Sequence, residues 1–328
     1  MKGGKKKIVT MGGGSGQFVL LSGLKDLQGI EITAVVSMAD NGGSTGRLRD
    51  ELGILPPGDV LKCILALSPY HEIIRKILLK RFSGDRRLEG HNAGNMLLTM
   101  LSQHTGSFPA AVHALAEILD TQGTILPVTV DQATLVAELT DGSHIYGEKA
   151  IDFPRGTQRE KIRKVFLVPH HNDAISVYPP VLEAIKAADY IIIGPGDLFT
   201  SIIPNFAVPG VKEELWQTGA KLLYILNIMT KFGETHNFSG RDFVNTLEES
   251  IERRVDAIIY NTKKPDQRLL RRYARQKAEL VIIDESEDWW SNRQIYAADM
   301  LDIAGGIVRH EPKKLSLLIQ KIISKRNL

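Results

Sequence analysis

The chain alternates short apolar runs with clusters of glycine and small polar residues, a pattern typical of buried strands joined to helices by tight turns. The first apolar run, Lys7–Met11, leads into four glycines and a serine and then into a helix predicted over residues 16–27. Glu31–Met38 is a second apolar run. Strand, turn, helix and strand make one right-handed βαβ unit, which predicts a parallel sheet.

The strand pattern returns in the second half of the chain, with segments between the runs that suit helices. Four apolar runs are predicted to be further strands of this sheet: Ala187–Ile193, Lys221–Asn227, Asp256–Asn261 and Glu279–Ile283. We therefore predict an α/β fold with a doubly wound, mostly parallel, Rossmann-like sheet.

The middle of the chain departs from this alternation. The stretch after the second strand is rich in helical periodicity, and Asp59 is predicted to cap the first of its helices. Thr134–Leu139 and His144–Tyr146 flank an Asp-Gly pair, which indicates a hairpin. Because no repeat or linker divides the sequence, we predict a single domain over residues 1–328, with a helical and antiparallel insertion around residues 124–180.

Composition narrows the class of protein. The 328 residues are 43% hydrophobic and 24% charged, which is ordinary for a soluble globular protein. A net charge of +3 gives no global electrostatic case for nucleic acid, and no apolar run is long enough to predict a membrane span. The single cysteine, Cys63, permits no internal disulfide and no cysteine cluster for zinc. These features predict a cytoplasmic protein.

The glycine turn after the first strand is the first candidate for ligand binding. Glycines let a ligand approach the backbone closely, and the free N–H groups at a helix start favour phosphate. The turn matches neither the dinucleotide-binding fingerprint nor the P-loop, because Gln17 stands where either requires glycine. Asp40 nevertheless ends the second strand, where a dinucleotide-binding protein keeps its ribose-binding acid, so an NAD(P)-binding protein stays open. A plain tight turn is the alternative.

The loop that begins at Asp40 is the second candidate. It combines a carboxylate, an amide, hydroxyls and glycines with Arg47, whose guanidinium can donate to phosphate in a bidentate fork. Asp40 is suited to ribose hydroxyls, to a metal ion or to a substrate proton. In the alternative interpretation the loop is solvated and Arg47 pairs with Asp50 or Glu51.

Polar residues also follow later strands and open later helices, so several of them should meet at one edge of the sheet. Some of these residues merely cap helices in the alternative interpretation. The predicted ligand-binding residues are Gly12, Gly13, Gly14, Ser15, Gly16, Asp40, Asn41, Gly42, Gly43, Ser44, Arg47, Lys62, His91, Asn92, Asn95, Gly194, Pro195, Gly196, Asp197, Leu198, Thr200, Asn227, Met229, Thr230, Tyr273 and Arg309.

Several segments of the chain resemble conserved blocks of one family. The sequence is similar to the gluconeogenesis factor (YvcK-like) proteins, which belong to the CofD-like superfamily together with the 2-phospho-L-lactate transferases of coenzyme F420 synthesis. The segments that carry the resemblance are residues 12–16, 39–49, 52–59, 91–95, 194–205 and 227–235.

The resemblance implies a bacterial protein that is required for cell shape and wall synthesis on gluconeogenic carbon sources. It also implies a nucleotide-sugar ligand such as UDP-N-acetylglucosamine, with Gly12–Gly16 facing its pyrophosphate. Tyr273 and Arg309 look like the family's ligand-contacting tyrosine and arginine. Two departures are visible. Asn41 stands where the family usually has a second acid, and Lys62 with Cys63 replaces a pair such as arginine-asparagine.

We therefore expect a nucleotide-sugar binding regulator without turnover, with no bound metal. An enzyme of the phospholactate-transferase type remains an alternative, with Asp40 as magnesium ligand or base, although one acid fewer in the loop weakens metal binding. An NAD(P)-binding protein is the second alternative. The expected partners are the nucleotide-sugar, a regulated protein in the synthesis of cell-wall precursors and further copies of the chain, and neither nucleic acid nor a membrane.

Overall fold

The computed structural model describes residues 4–84, 88–154, 156, 158–171, 173–284 and 286–324. Its strands, numbered along the chain, are β1 (Lys6–Gly12), β2 (Ile30–Val36), β3 (Thr124–Pro127), β4 (Ala133–Leu139), β5 (His144–Tyr146), β6 (Ile162–Pro169), β7 (Tyr190–Ile193), β8 (Lys221–Ile225), β9 (Ala257–Asn261), β10 (Ile295–Ala298), β11 (Leu301–Asp302) and β12 (Arg309–His310).

Helices connect these strands. They are α1 (Gly14–Leu24), α2 (Gly43–Leu52), α3 (Pro57–Leu67), α4 (His71–Leu78), α5 (Ala93–Thr105), α6 (Phe108–Ile118), α7 (Glu148–Asp152), α8 (Pro179–Ala187), α9 (Ile203–Phe206), α10 (Val211–Gln217), α11 (Gly240–Ile251), α12 (Gln267–Arg275), α13 (Asp288–Ser291) and α14 (Pro312–Ser324). A π-helical turn, Leu198–Ile202, precedes α9. None of the described helices has the length and apolar character needed to cross a membrane.

Seven strands form the main sheet in the order β10-β9-β8-β7-β1-β2-β3, and every neighbouring pair is parallel. The chain moves outward from β1 to β3, then returns to β7 beside β1 and moves outward the other way. The order therefore reverses between β1 and β7. The predicted doubly wound, mostly parallel sheet is confirmed, and the carboxyl ends of β1 and β7 mark the place where such sheets bind ligands.

Burial explains why the central strands of the sheet are easily predicted from the sequence. All four residues of β7 are buried, and β8 is buried after its first residue. Strands covered on both faces are near-continuous apolar runs. Gln17 of α1 is also fully buried, where its Nε2 donates to the Val35 carbonyl oxygen at 3.0 Å and to Thr10 Oγ1 at 3.1 Å. The side chain that breaks the glycine fingerprint thus joins α1 to β1 and β2.

One predicted strand is wrong. Glu279–Ile283 forms no strand, because its start crosses the loop after β8, where the Thr230 N–H donates to the Glu279 carbonyl oxygen at 2.7 Å. The outer place in the sheet belongs instead to β10, which pairs with β9. This strand is only four residues long and is only partly buried.

The antiparallel part is narrower than the predicted insertion around residues 124–180. The predicted hairpin is present, and β5, β4 and β6 form a separate three-stranded antiparallel sheet. However, β3 pairs in parallel with β2 and so belongs to the main sheet. The prediction for Asp59 also fails, since the residue before α3 is Pro56 and Asp59 lies inside the first turn with other partners.

Candidate functional site

The turns after β1 and β7 touch at the point where the strand order reverses. A Cβ atom on Gly16 would lie only 2.1 Å from the Pro195 carbonyl oxygen, so no larger residue fits there without movement. Gly194 adopts a φ of +73° and its N–H donates to the Met11 carbonyl oxygen at 3.1 Å. Asn227, after β8, donates to the Gly196 carbonyl oxygen at 2.9 Å. Three predicted loops therefore meet at one edge of the sheet.

The start of α1 holds a carboxylate from the chain itself. The Gly14 N–H donates to Asp59 Oδ2 at 2.7 Å, and the Lys62 ammonium donates to Asp59 Oδ1 at 2.9 Å. Asp59 therefore lies at the helix start, where an anion is favoured. Burial alone would lower the pKa of Lys62, but the carboxylates of Asp59 and Asp40 outweigh it and raise that pKa. Ser15, in contrast, is exposed.

Asp40 lies next to this pair. Its Oδ1 accepts the Gly42 N–H at 2.8 Å, and a Cβ atom on Gly58 would lie 3.2 Å from its Oδ2. Burial, and then the negative charge of Asp59, raise the pKa of Asp40 to about 6. A carboxyl group with this pKa is largely ionised at neutral pH yet able to take up a proton.

The short helix α7 brings two more carboxyl groups to the edge. Glu148 and Asp152 are four residues apart and so lie on one face of the helix. The Lys149 N–H donates to Asn41 Oδ1 at 2.8 Å, which ties the start of α7 to the loop after β2. Burial, and then the charges of Asp40 and Asp152, raise the pKa of Glu148 to about 8.

Lys231, after β8, is surrounded by carboxylates. Its ammonium contacts Asp152, lies 2.7 Å from Asp197 Oδ2 and lies 3.5 Å from Glu234 Oε1. One oxygen from each of these three acids lies within 4.8 Å of the others. Burial would lower the pKa of Lys231, but the acids raise it. Thr200 completes the group by donating to Glu234 Oε1 at 3.1 Å.

We call these groups together the acidic site. It contains six carboxyl groups and two lysines: Asp40, Asp59, Glu148, Asp152, Asp197, Glu234, Lys62 and Lys231. Burial, and then repulsion between neighbouring carboxylates, raise the pKa values of Asp40 and Glu148. Oxygen ligands of this kind are those that Mg²⁺ prefers, so the residues fit a divalent cation.

Sequence reasoning missed five members of the acidic site: Asp59, Glu148, Asp152, Lys231 and Glu234. The four-residue spacing of Glu148 and Asp152 was a usable signal, but only if a helix had been predicted there. Lys231 and Glu234 adjoin the predicted Asn227–Thr230 segment and could have been included with it.

A second polar group lies between α2 and α5. Ser44 Oγ and His91 Nδ1 are 2.9 Å apart, and Asn95 Nδ2 donates to Ser44 Oγ at 3.4 Å. Arg47 donates to the Glu89 carbonyl oxygen at 2.5 Å. Burial, and then the positive charge of Arg47, lower the pKa of His91. Asn92 caps α5 through the Asn95 N–H. The structure thus gives Arg47 a different partner from both predicted acids, Asp50 and Glu51.

The remaining predicted residues lie apart from the acidic site, are buried in the core or already make hydrogen bonds within the protein. Leu198 is completely buried in the core, and Thr230 Oγ1 accepts the Glu279 N–H at 2.8 Å. Met229 forms an isolated bridge to Leu280. In the C-terminal part, the Tyr273 hydroxyl accepts the Val308 N–H at 2.8 Å. Arg309 donates to Asp302 Oδ2 at 2.8 Å.

Comparisons with known proteins agree with the fold. The family model described as 2-phospho-L-lactate transferase CofD matches residues 8–301. A relative from Aquifex aeolicus is 42% identical over 99% of this chain and 98% of its own, and the protein of Bacillus subtilis named gluconeogenesis factor is 36% identical over 98% of this chain and 100% of its own. A crystal structure of a Bacillus halodurans protein superposes with a TM-score of 0.90 at 36% identity, covering 96% of this chain and 99% of that one.

Proposed function

The chain belongs to the CofD family and resembles its members named gluconeogenesis factor, and from this premise we propose that it binds a nucleotide-sugar at the acidic site. The observation that carries the proposal is the meeting of the turns after β1 and β7 where the strand order reverses. Crevices at such positions are where open α/β sheets bind nucleotides.

The polar groups at this edge suit the two ends of such a ligand. Carboxylates such as Asp40 and Asp197 accept hydrogen bonds from ribose or sugar hydroxyls. Lys62 and Lys231 offer positive charge toward a diphosphate, although both ammonium groups already donate hydrogen bonds to carboxylates. Because the carboxyl groups outnumber the lysines, a diphosphate is expected to bind more tightly with Mg²⁺ than without it.

The physiological side of the proposal follows from the resemblance to the gluconeogenesis factors. We infer a cytoplasmic regulator that responds to the nucleotide-sugar and acts on a protein of cell-wall precursor synthesis, with cell shape on gluconeogenic carbon sources as the trait affected. Self-association of the chain is part of the same proposal. Deletion of the gene in its host, tested on gluconeogenic and glycolytic carbon sources, should alter cell shape only on the former.

The direct test is titration calorimetry with UDP-N-acetylglucosamine, NAD and GDP, each with and without Mg²⁺. The UDP-sugar should bind most tightly. Gly16→Ala should weaken binding by about tenfold or more, because its Cβ would collide with the Pro195 backbone. Gly219→Ala is the matched control and should bind normally, since a Cβ there meets nothing within 4 Å. Equal binding by both variants would contradict the location, and preference for NAD would favour the dinucleotide-binding alternative.

The raised pKa of Asp40 favours a second candidate function, a transferase of the phospholactate type. Bound Mg²⁺ would supply positive charge to the phosphates of a nucleotide-linked donor. Asp40 would be its ligand, beside the negative charges of Asp59 and Glu148. Without a cation, Asp40 would instead accept a proton from an acceptor hydroxyl. Release of free nucleotide over time, lost in Asp40→Asn, would support the transferase. Stable binding without product would support the regulator.

A further inference from the structure

The helix α12 carries four arginines at helical positions i, i+3, i+4 and i+7, which places them in one row. We call this row the arginine face: Arg268, Arg271, Arg272 and Arg275. All four side chains are exposed. The row lines one side of a cleft of about 770 Å³, and Ile303 and Gly306 line the other side.

Most of the charge on the arginine face is unpaired within the described part of the chain. Among the residues that the structure describes, Arg268, Arg271 and Arg275 make no hydrogen bond or ion pair. Arg272 donates to the Gly306 carbonyl oxygen and so joins the two sides of the cleft. Asp266 is the one carboxyl group among the lining residues described, and it caps α12 by accepting the Leu269 N–H at 2.7 Å.

The arrangement selects a linear anion rather than a compact one. Seven residues of helix span about 10 Å, so the guanidinium groups form a row and do not converge on one phosphate. Each can hold a carboxylate in a bidentate pair. Ile303, which is 42% exposed, and nearby Ile307, at 54%, add apolar surface beside the row. A peptide whose carboxylates alternate with apolar side chains matches this surface. A nucleic-acid backbone, in contrast, has no apolar group to pack against the isoleucines.

We propose that the arginine face binds an acidic segment of a protein partner. The segment lies along α12, with carboxylates on the arginines and an apolar side chain against Ile303. This goes beyond the proposed nucleotide-sugar binding and does not depend on it, because no residue of the acidic site lines this cleft.

The probe for the test is a fluorescein-labelled peptide that alternates Glu with Leu and Ser, followed by fluorescence anisotropy with the full chain. The triple variant Arg268→Glu/Arg271→Glu/Arg275→Glu should bind at least about tenfold more weakly. A matched variant with the same change in net charge at exposed lysines, Lys186→Glu/Lys313→Glu/Lys321→Glu, should bind within about threefold of the parent chain. Raising the salt concentration should weaken binding of the parent chain.

Further arms separate a specific surface from general attraction. Ile303→Ser should weaken binding severalfold, and so should replacement of Leu by Ser in the peptide, because both remove the apolar contact. The triple replacement by glutamine, which removes charge without adding repulsion, should reproduce the loss if the variant with glutamates fails to fold. Equal losses in the arginine and lysine variants would overturn the proposal. Tighter binding of a labelled single-stranded DNA through the same arginines would overturn it in favour of nucleic acid.

Discussion

At the scale of single residues, the acidic site is organised by carboxyl groups that lie closer together than their charges favour. Asp59 accepts hydrogen bonds from a backbone N–H and a lysine, whereas Glu148 has no such partner among the residues that the structure describes. The pKa of Glu148 therefore rises to about 8, with burial as the first cause and the charge of Asp40 as the second. An ionised Glu148 destabilises the folded protein, and a ligand or cation that removes this penalty will be bound more tightly.

This arrangement predicts how stability depends on pH. Between pH 4.5 and about 8 the folded chain binds more protons at Glu148 than the unfolded chain does, so the contribution of Glu148 to stability falls as pH rises through this range. Glu148→Gln should therefore stabilise the protein at pH 8.5 by roughly 4 kcal/mol more than it does at pH 5. Chemical denaturation at both pH values measures the difference. A gain that is the same at both pH values would show that Glu148 titrates as an ordinary exposed acid.

At the scale of elements, the position of α7 determines whether Glu148 and Asp152 lie in the acidic site. Gly147, before the helix, provides no side-chain cap, and Asn41 supplies one from the loop after β2 by accepting the Lys149 N–H. Asn41 thus has a structural role here. The amide positions the helix that carries Glu148 and Asp152, and it adds no further negative charge beside Asp40.

Replacing Gly147 tests this contact. A Cβ atom at Gly147 would lie 2.4 Å from Asn41 Nδ2, and the residue has a φ of +89°. Gly142 has a similar φ of +84° but open space around it, which makes it a matched control. Both alanine variants should lose about 1 kcal/mol to backbone strain. Only Gly147→Ala should also weaken binding of the nucleotide-sugar, by about tenfold, in titration calorimetry. Equal affinity of the two variants would show that the position of α7 does not affect binding of the nucleotide-sugar.

At the scale of the whole molecule, the acidic site joins segments that are distant along the chain. Lys231 contacts acids from α7 and from the loop after β7, and Asn41 contacts a residue 108 positions away. The local excess of negative charge exists although the chain as a whole carries +3. A divalent cation that enters this region should therefore bind the folded chain and stabilise it.

Thermal unfolding with and without Mg²⁺ measures this effect. Millimolar Mg²⁺ should raise Tm by about 2–4 °C at pH 8, compared with sodium at the same ionic strength. The increase should shrink at pH 5.5, where protons compete at Asp40 and Glu148. Asp40→Asn/Glu148→Gln should lose most of the increase, whereas Glu183→Gln/Glu249→Gln, at two exposed acids, should keep it. An increase that survives in the first variant would place the cation elsewhere.

The sequence was most informative where local pattern and burial coincide. Central strands such as β7 are buried on both faces, so their apolar runs predicted both the sheet and the edge where Asp40 and Asp197 lie. Asp59 and Glu148 could not be found this way, because their roles depend on contacts between segments far apart in the chain. The four-residue β10 was missed because it is only partly buried and half of it is alanine, which gives a weak strand signal.

The lone cysteine gives this protein a built-in reporter. Cys63 follows Lys62 on α3, is completely buried, and has a pKa that burial, and then Asp59, raise above the usual value. A thiol reagent can modify it only when α3 opens, so the rate of modification measures local opening of the helix that holds Asp59 and Lys62. A ligand that binds Asp59 and Lys62 should hold α3 closed and so slow the reaction. The rate of modification therefore reports whether the acidic site is occupied, without an engineered label.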